Sequence, residues 1–280
     1  MGVETKQRRT RTRLTRHPLI LFTVLAYTIS WFCWLPLLAA RQGWVGWSVS
    51  PYLQLLGGLG PAAAALVTRA VVAGRTGVLS LLRQVIAWRG RLRWLALAVL
   101  GPLALFAAAV IVARVVEGGW PDLSHFGANT EYPALPLVAF WAASLLFDGF
   151  GEEIGWRGFA QPTLAGRHSA LGAAIIVSVI WATWHLPLFG VTPTYRAMPP
   201  IGFLGFFLSI VTASLLLTWL YLHSRASILV AAVFHTVFDI ATTTPTTTTL
   251  IPTLMGVIIT VAGLAVIPNL YRRRSAATSG

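Results

Sequence analysis

Apolar residues run along this chain in long blocks, separated by short breaks rich in arginine, glycine and proline. The blocks fall at 18–40, 51–73, 94–113, 133–163, 169–189, 200–222, 226–241 and 250–270. Most reach about 20 residues, the length a helix needs to cross a bilayer core. The seventh is short and the fourth unusually long. In lipid every backbone N–H and C=O must find its partner inside the protein, which leaves helices or a closed barrel. A barrel would show short segments of alternating polarity, and these blocks do not alternate. The pattern predicts an all-α polytopic membrane protein with about eight transmembrane helices.

Composition points the same way, with 56% of the 280 residues hydrophobic and 10% charged. No internal repeat is evident and no stretch is polar enough for a separate soluble domain. The expected organisation is a basic N-terminal segment at 1–17, one integral-membrane domain at 18–271 and a short tail at 272–280. The basic run from Lys6 to Arg16 precedes an apolar block of 23 residues. That block is too long for a signal-peptide core, so an uncleaved first helix is expected. Cys33 is the single cysteine, which excludes a disulfide framework and a multi-cysteine zinc site.

The net charge of +13 could suggest a nucleic-acid partner, but its placement argues for topology. If the spans alternate, 18 of the 21 cationic residues collect on one side, leaving Arg41, Arg114 and Arg196 on the other. Cationic loops stay in the cytoplasm, so both termini are expected there, with an even number of spans and no nucleic-acid role. Arginine outnumbers lysine twenty to one, which hints at a GC-rich genome; the expected location is a bacterial plasma membrane. Residues 75 to 93 carry Leu81, Leu82, Val85, Ile86 and Trp88 among arginines. They read as an amphipathic helix on the cytoplasmic membrane surface. Trp120, Pro121 and Asp122 sit in the longest external loop, a lid or a plain connector.

Ionisable residues inside spans are the candidates for chemistry, because each costs about 2.5–3.5 kcal/mol at the bilayer centre. Here they are Asp148, Glu152, Glu153, Arg157, His185, His235 and Asp239. Glu153 and Arg157 stand four apart on one helix face and can pair, which leaves Glu152 without a cation. Trp181 and His185 share a face, as do His235 and Asp239. Asp148, four before Glu152, would crowd it with like charge or serve as a polar interhelical contact. At 1.5 Å per residue from the shared cytoplasmic ends, Glu152, His185, His235 and Asp239 lie roughly 20, 24, 14 and 20 Å deep. Three spans thus bring their polar groups to a common layer.

No serine or cysteine is tied to this set, since Ser178 lies two turns before His185 and Cys33 is in the first span. Activated water is the natural alternative to a side-chain nucleophile. Glu152 and His185 could take its proton while His235 and its neighbour stabilise an oxyanion. Glu152, His185 and His235 could instead ligate zinc, although the His-Glu-x-x-His helix signature is absent. A transporter or proton relay also uses intramembrane acids and histidines, usually in two symmetric halves with broken helices. Here the ionisable residues concentrate in the fourth, fifth and seventh spans. A scaffold using the cluster only as interhelical glue is the third reading.

The string Gly-Glu-Glu-Ile-Gly-Trp-Arg-Gly at 151–158, then Trp181-x-x-x-His185 and His235-x-x-x-Asp239, resembles the CAAX protease and bacteriocin-processing (Abi) family. The resemblance covers roughly residues 133 to 245. It implies an intramembrane endopeptidase acting on membrane-associated substrates, of CAAX or bacteriocin-like type. In that family's terms Glu152 and His185 activate water, Glu153 and Arg157 form a structural pair, and His235 and Asp239 form the oxyanion site or complete a metal site. Trp181 replaces the usual phenylalanine, and Asp239 stands where asparagine is common. An ionised aspartate cannot donate to an oxyanion, so Asp239 would orient His235, stay protonated or bind metal.

Overall fold

The computed structural model describes residues 17–88, 90–196, 198–246 and 248–272. The basic N-terminal segment, apart from its last residue His17, and all of the tail after Arg272 lie outside them. Each of the eight apolar blocks is helical, and no strand occurs among the described residues. The first is α1 (Pro18–Arg41). The second is α2 (Tyr52–Gly58) running into α3 (Gly60–Val85), and the third is α4 (Leu92–Glu117). The fourth, here the motif span, begins with α5 (Leu137–Ser144) and continues as a π-helical turn, Leu145–Phe150. It then runs through α6 (Gly151–Gly155), a second π turn (Trp156–Ala160) and α7 (Gln161–Ala165).

Next come α8 (Ala170–Trp184), the short α9 (Leu188–Val191) and α10 (Pro193–Arg196), and α11 (Pro200–His223). The chain closes with α12 (Ile228–Thr243), α13 (Leu250–Ala265) and α14 (Ile267–Arg272). Among the described residues six stretches are long and apolar enough to cross a membrane; Ile228–Thr243 is a shorter apolar helix. The protein is an integral membrane protein of all-α type.

The segment read as a separate amphipathic helix is set off by a break: Gly74 (φ 62°, ψ −158°) interrupts α3, and a second helix runs over 75–85, ending at Val85 and short of residue 93. Leu81 turns into the core, whereas Ile86 and Trp88 remain exposed. The connector at 118–136 is tethered at several points. Gln54 donates to Glu131 across it, and the Gly127 N–H donates to Thr244 Oγ1 at 3.0 Å.

The motif span packs at the centre because its glycines let other backbones close in. Small residues at helix contacts are how membrane helices associate without a hydrophobic drive between them. A Cβ at Gly151 would stand 2.5 Å from the Gly58 carbonyl oxygen, and one at Gly155 would stand 2.5 Å from Pro61 Cβ. Gly155→Ala is therefore expected to destabilise the fold by about 1–3 kcal/mol, the usual cost of overpacking. Thermal unfolding in detergent measures it. Gly205→Ala, where a Cβ meets nothing within 4 Å, is the control and should not lower the melting temperature.

Candidate active site

The motif span is not a uniform α-helix where it matters. π-helical turns stand on both sides of Gly151–Gly155, the stretch that carries Glu152 and Glu153. Such turns add a residue to the helical repeat, re-aim the side chains that follow and occur often at functional sites. The two adjacent carboxylates here reach different partners.

Glu153 is fully buried and paired with Arg157, whose Nη1 lies 2.8 Å from Glu153 Oε1. The same oxygen meets His235 Nδ1 at 2.9 Å, so Glu153 bridges the motif span to α12. Arg157 is held in turn by α11, donating from Nη2 to Ser214 Oγ at 3.3 Å and to the Ser214 carbonyl at 3.5 Å. Its guanidinium also lies over the Trp181 ring, 5.0 Å from the centroid. On the other side of His235, Nε2 sits 3.2 Å from Asp239 Oδ2. Ser214, Arg157, Glu153, His235 and Asp239 thus form one continuous chain across three helices.

Glu152 is not left free, as its lack of a cation had suggested. Trp156 Nε1 donates to its Oε2 at 3.2 Å and Trp181 Nε1 donates to the same oxygen at 2.5 Å. Indole is a donor only, so neither tryptophan can take a proton from the carboxylate. Both indoles use Oε2, which leaves Oε1 uncommitted.

His185 caps α8, which stops because Leu186 precedes Pro187 and residues before proline disfavour helix. Its Nδ1 lies 2.7 Å from the Trp181 carbonyl oxygen. A carbonyl only accepts, so Nδ1 carries the hydrogen and the neutral ring presents a lone pair at Nε2. Aromatic rings surround it edge to face: Trp184 at 4.9 Å and Phe206 at 5.5 Å between centroids.

The structure brings Glu152, His185 and His235 together through one residue, Trp181, and Asp239 joins them through His235. The Trp181 indole N–H meets Glu152, its carbonyl meets His185, and its ring stands 5.4 Å from His235. Asp148 stays outside this arrangement; its partner is Ser144 Oγ, at 2.8 Å. Trp156, four after Glu152, shares its face by helical spacing and does meet it, whereas sequence reasoning missed Ser214 and Phe206, which lie on α11 with no local signal.

Both ring nitrogens of His235 face carboxylates, and no trio of His, Cys, Asp or Glu able to hold a metal ion occurs among the described residues.

Comparison with known proteins follows the same residues. Residues 134–241 match the family described as Type II CAAX prenyl endopeptidase Rce1-like. CAAX prenyl protease 2 of Methanococcus maripaludis is 34% identical over 114 residues, which is 39% of this chain and 40% of that protein. The chain therefore spans less than half the length of the curated relative it matches. Every group in the cluster, from Asp148 to Asp239, falls inside the matched stretch, and over that stretch the chain is similar to the Type II CAAX prenyl endopeptidase Rce1-like family.

Proposed function

We propose that this protein is an intramembrane endopeptidase in which Glu152 and His185 activate water against a peptide bond of a membrane-associated substrate. The observation that carries this reading is the pair of free acceptors set by Trp181. Glu152 keeps Oε1 and His185 keeps Nε2, both fixed by bonds to the same residue. A water between two acceptors has both hydrogens held and a lone pair turned to the substrate.

Water oxygen attacks the scissile carbonyl carbon, and its proton passes to Glu152 Oε1. The carbonyl π pair moves onto oxygen, giving a tetrahedral oxyanion. His235 lies between two carboxylates and donates from both nitrogens when both are ionised. Its Nε2–H exchanges the Asp239 carboxylate for the oxyanion, while Nδ1–H stays on Glu153. Asp239 thereby orients His235 and does not itself donate. Collapse of the intermediate breaks the C–N bond, and the proton on Glu152 goes to the leaving amine. Preorganised donors aimed at developing charge usually supply the largest part of such a rate.

Substrates of this reading are CAAX-type or bacteriocin-like peptides held at a bilayer. The direct assay uses purified protein in detergent with quenched fluorescent peptides, one prenylated at a C-terminal cysteine and one unprenylated. Cleavage is expected, and His185→Ala should lower it about 10²-fold, the low end for loss of an acid–base group. Ion-coupled uptake in liposomes without peptide cleavage would replace this reading with a transporter.

A further inference from the structure

The two ends of the helix bundle differ sharply in charge, and the site sits nearer one of them. At the first end Arg91 donates to the carbonyls of Ser224 and Arg225, and Trp94 packs on Trp219 and His223. Gln161 reaches the Ala170 carbonyl there, and Leu270 packs with Ala174. These contacts gather Arg75, Arg83, Arg91, Arg93, Arg167, Arg225 and Arg272 with no acid among the described residues of that end. At the second end Gln54 meets Glu131, Gly127 meets Thr244, Thr248 meets Glu117, and a Cβ on Gly190 would run into Leu38. Arg41, Arg114 and Arg196 are balanced there by Glu117, Asp122 and Glu131.

Burial across the polar cluster falls in one direction. Glu153 and Arg157 are 0% exposed, Glu152, His185 and His235 are 6%, 7% and 6%, and the Asp239 side chain reaches 39%. Asp239 is four residues from Thr243, where α12 finishes at the balanced end. His185 caps α8 at the end of that helix that points the same way, and the preceding Trp184 carbonyl accepts from Trp31 Nε1 on the middle of α1. Beneath the cluster, toward the arginine-rich end, Phe22, Trp156, Phe159 and Leu220 pack solid.

We infer that the site opens at the charge-balanced end, and that this end faces away from the cytoplasm. The arginine-rich end is cytoplasmic by the retention of cationic loops. A carboxylate exposed to this extent needs water, because lipid would cost it several kcal/mol. Resting on the endopeptidase reading, the substrates are then peptide segments presented at the outer leaflet, beside the connectors 118–136 and 186–199. Cytoplasmic C-termini would meet the packed end and not reach Glu152.

Three cysteine variants in a Cys33→Ala background, expressed in bacterial spheroplasts, test the orientation. Ser124→Cys at the balanced end should react with a membrane-impermeant maleimide in intact spheroplasts. Ser80→Cys at the arginine-rich end should react only after permeabilisation. Asp239→Cys should be modified from outside by a small impermeant methanethiosulfonate, which reports the mouth itself. Reaction of Ser80→Cys first, or of Asp239→Cys only after permeabilisation, overturns the inference. A quenched peptide added outside should be cleaved by spheroplasts carrying the wild-type site, and cleavage confined to inside-out vesicles also overturns it. Absence of cleavage in detergent counts against the endopeptidase reading alone, since labelling decides the orientation without it.

Discussion

Glu152→Gln is expected to lower peptide turnover by about 10²–10⁴-fold, the range for removing a positioned general base. Glutamine keeps the shape of the side chain, and its carbonyl oxygen still accepts from the Trp156 and Trp181 indoles, so the cage around position 152 survives. What it loses is the second oxygen's capacity to take a proton from water. The melting temperature in detergent should therefore stay near that of the wild type while the rate collapses. Retained turnover in the purified variant would remove Glu152 from the mechanism. A collapsed melting temperature would instead assign it a structural role.

Arg157→Met should act in the opposite way, on stability first. Arg157 and Glu153 are both fully buried and directly paired, and Glu153 also meets His235. Removing one member of a buried pair leaves an uncompensated charge and costs about 3–5 kcal/mol. Methionine fills most of the volume, so the loss reports charge and not a cavity. Adding Glu153→Gln should recover much of that stability, because the pair is then removed together and no lone carboxylate remains. Denaturant unfolding of the two single variants and the double variant gives the coupling. Additive losses would show that the pair does not hold the motif span to α11 and α12.

Parts of this architecture were legible from residue order alone. The block lengths placed eight helical segments, and the break at Gly74 sets off a helix at 75–85 where a separate one was expected, although it stops at Val85 and not at residue 93. Spacing of four also forecast real contacts, as with Glu153 and Arg157 or His235 and Asp239. Those contacts are set by helix geometry, which sequence separation encodes directly. Asp148 shows that the rule offers neighbours in both directions: it stands four from Glu152 and four from Ser144, and its hydrogen bond is with Ser144, on the near side of the first π turn.

Sequence by itself determined that this chain is helical and membrane-bound, that its ionisable groups concentrate on three spans, and which of them lie one turn apart. Only the tertiary structure decided how those spans are rotated against one another. It joined Glu153 to His235 rather than to Arg157 alone, set both indoles on one oxygen of Glu152, and made Trp181 the common neighbour. The reason is physical. Helical periodicity fixes which residues share a face, whereas the partner of that face depends on close packing at glycines such as Gly151 and Gly155, between segments dozens of residues apart.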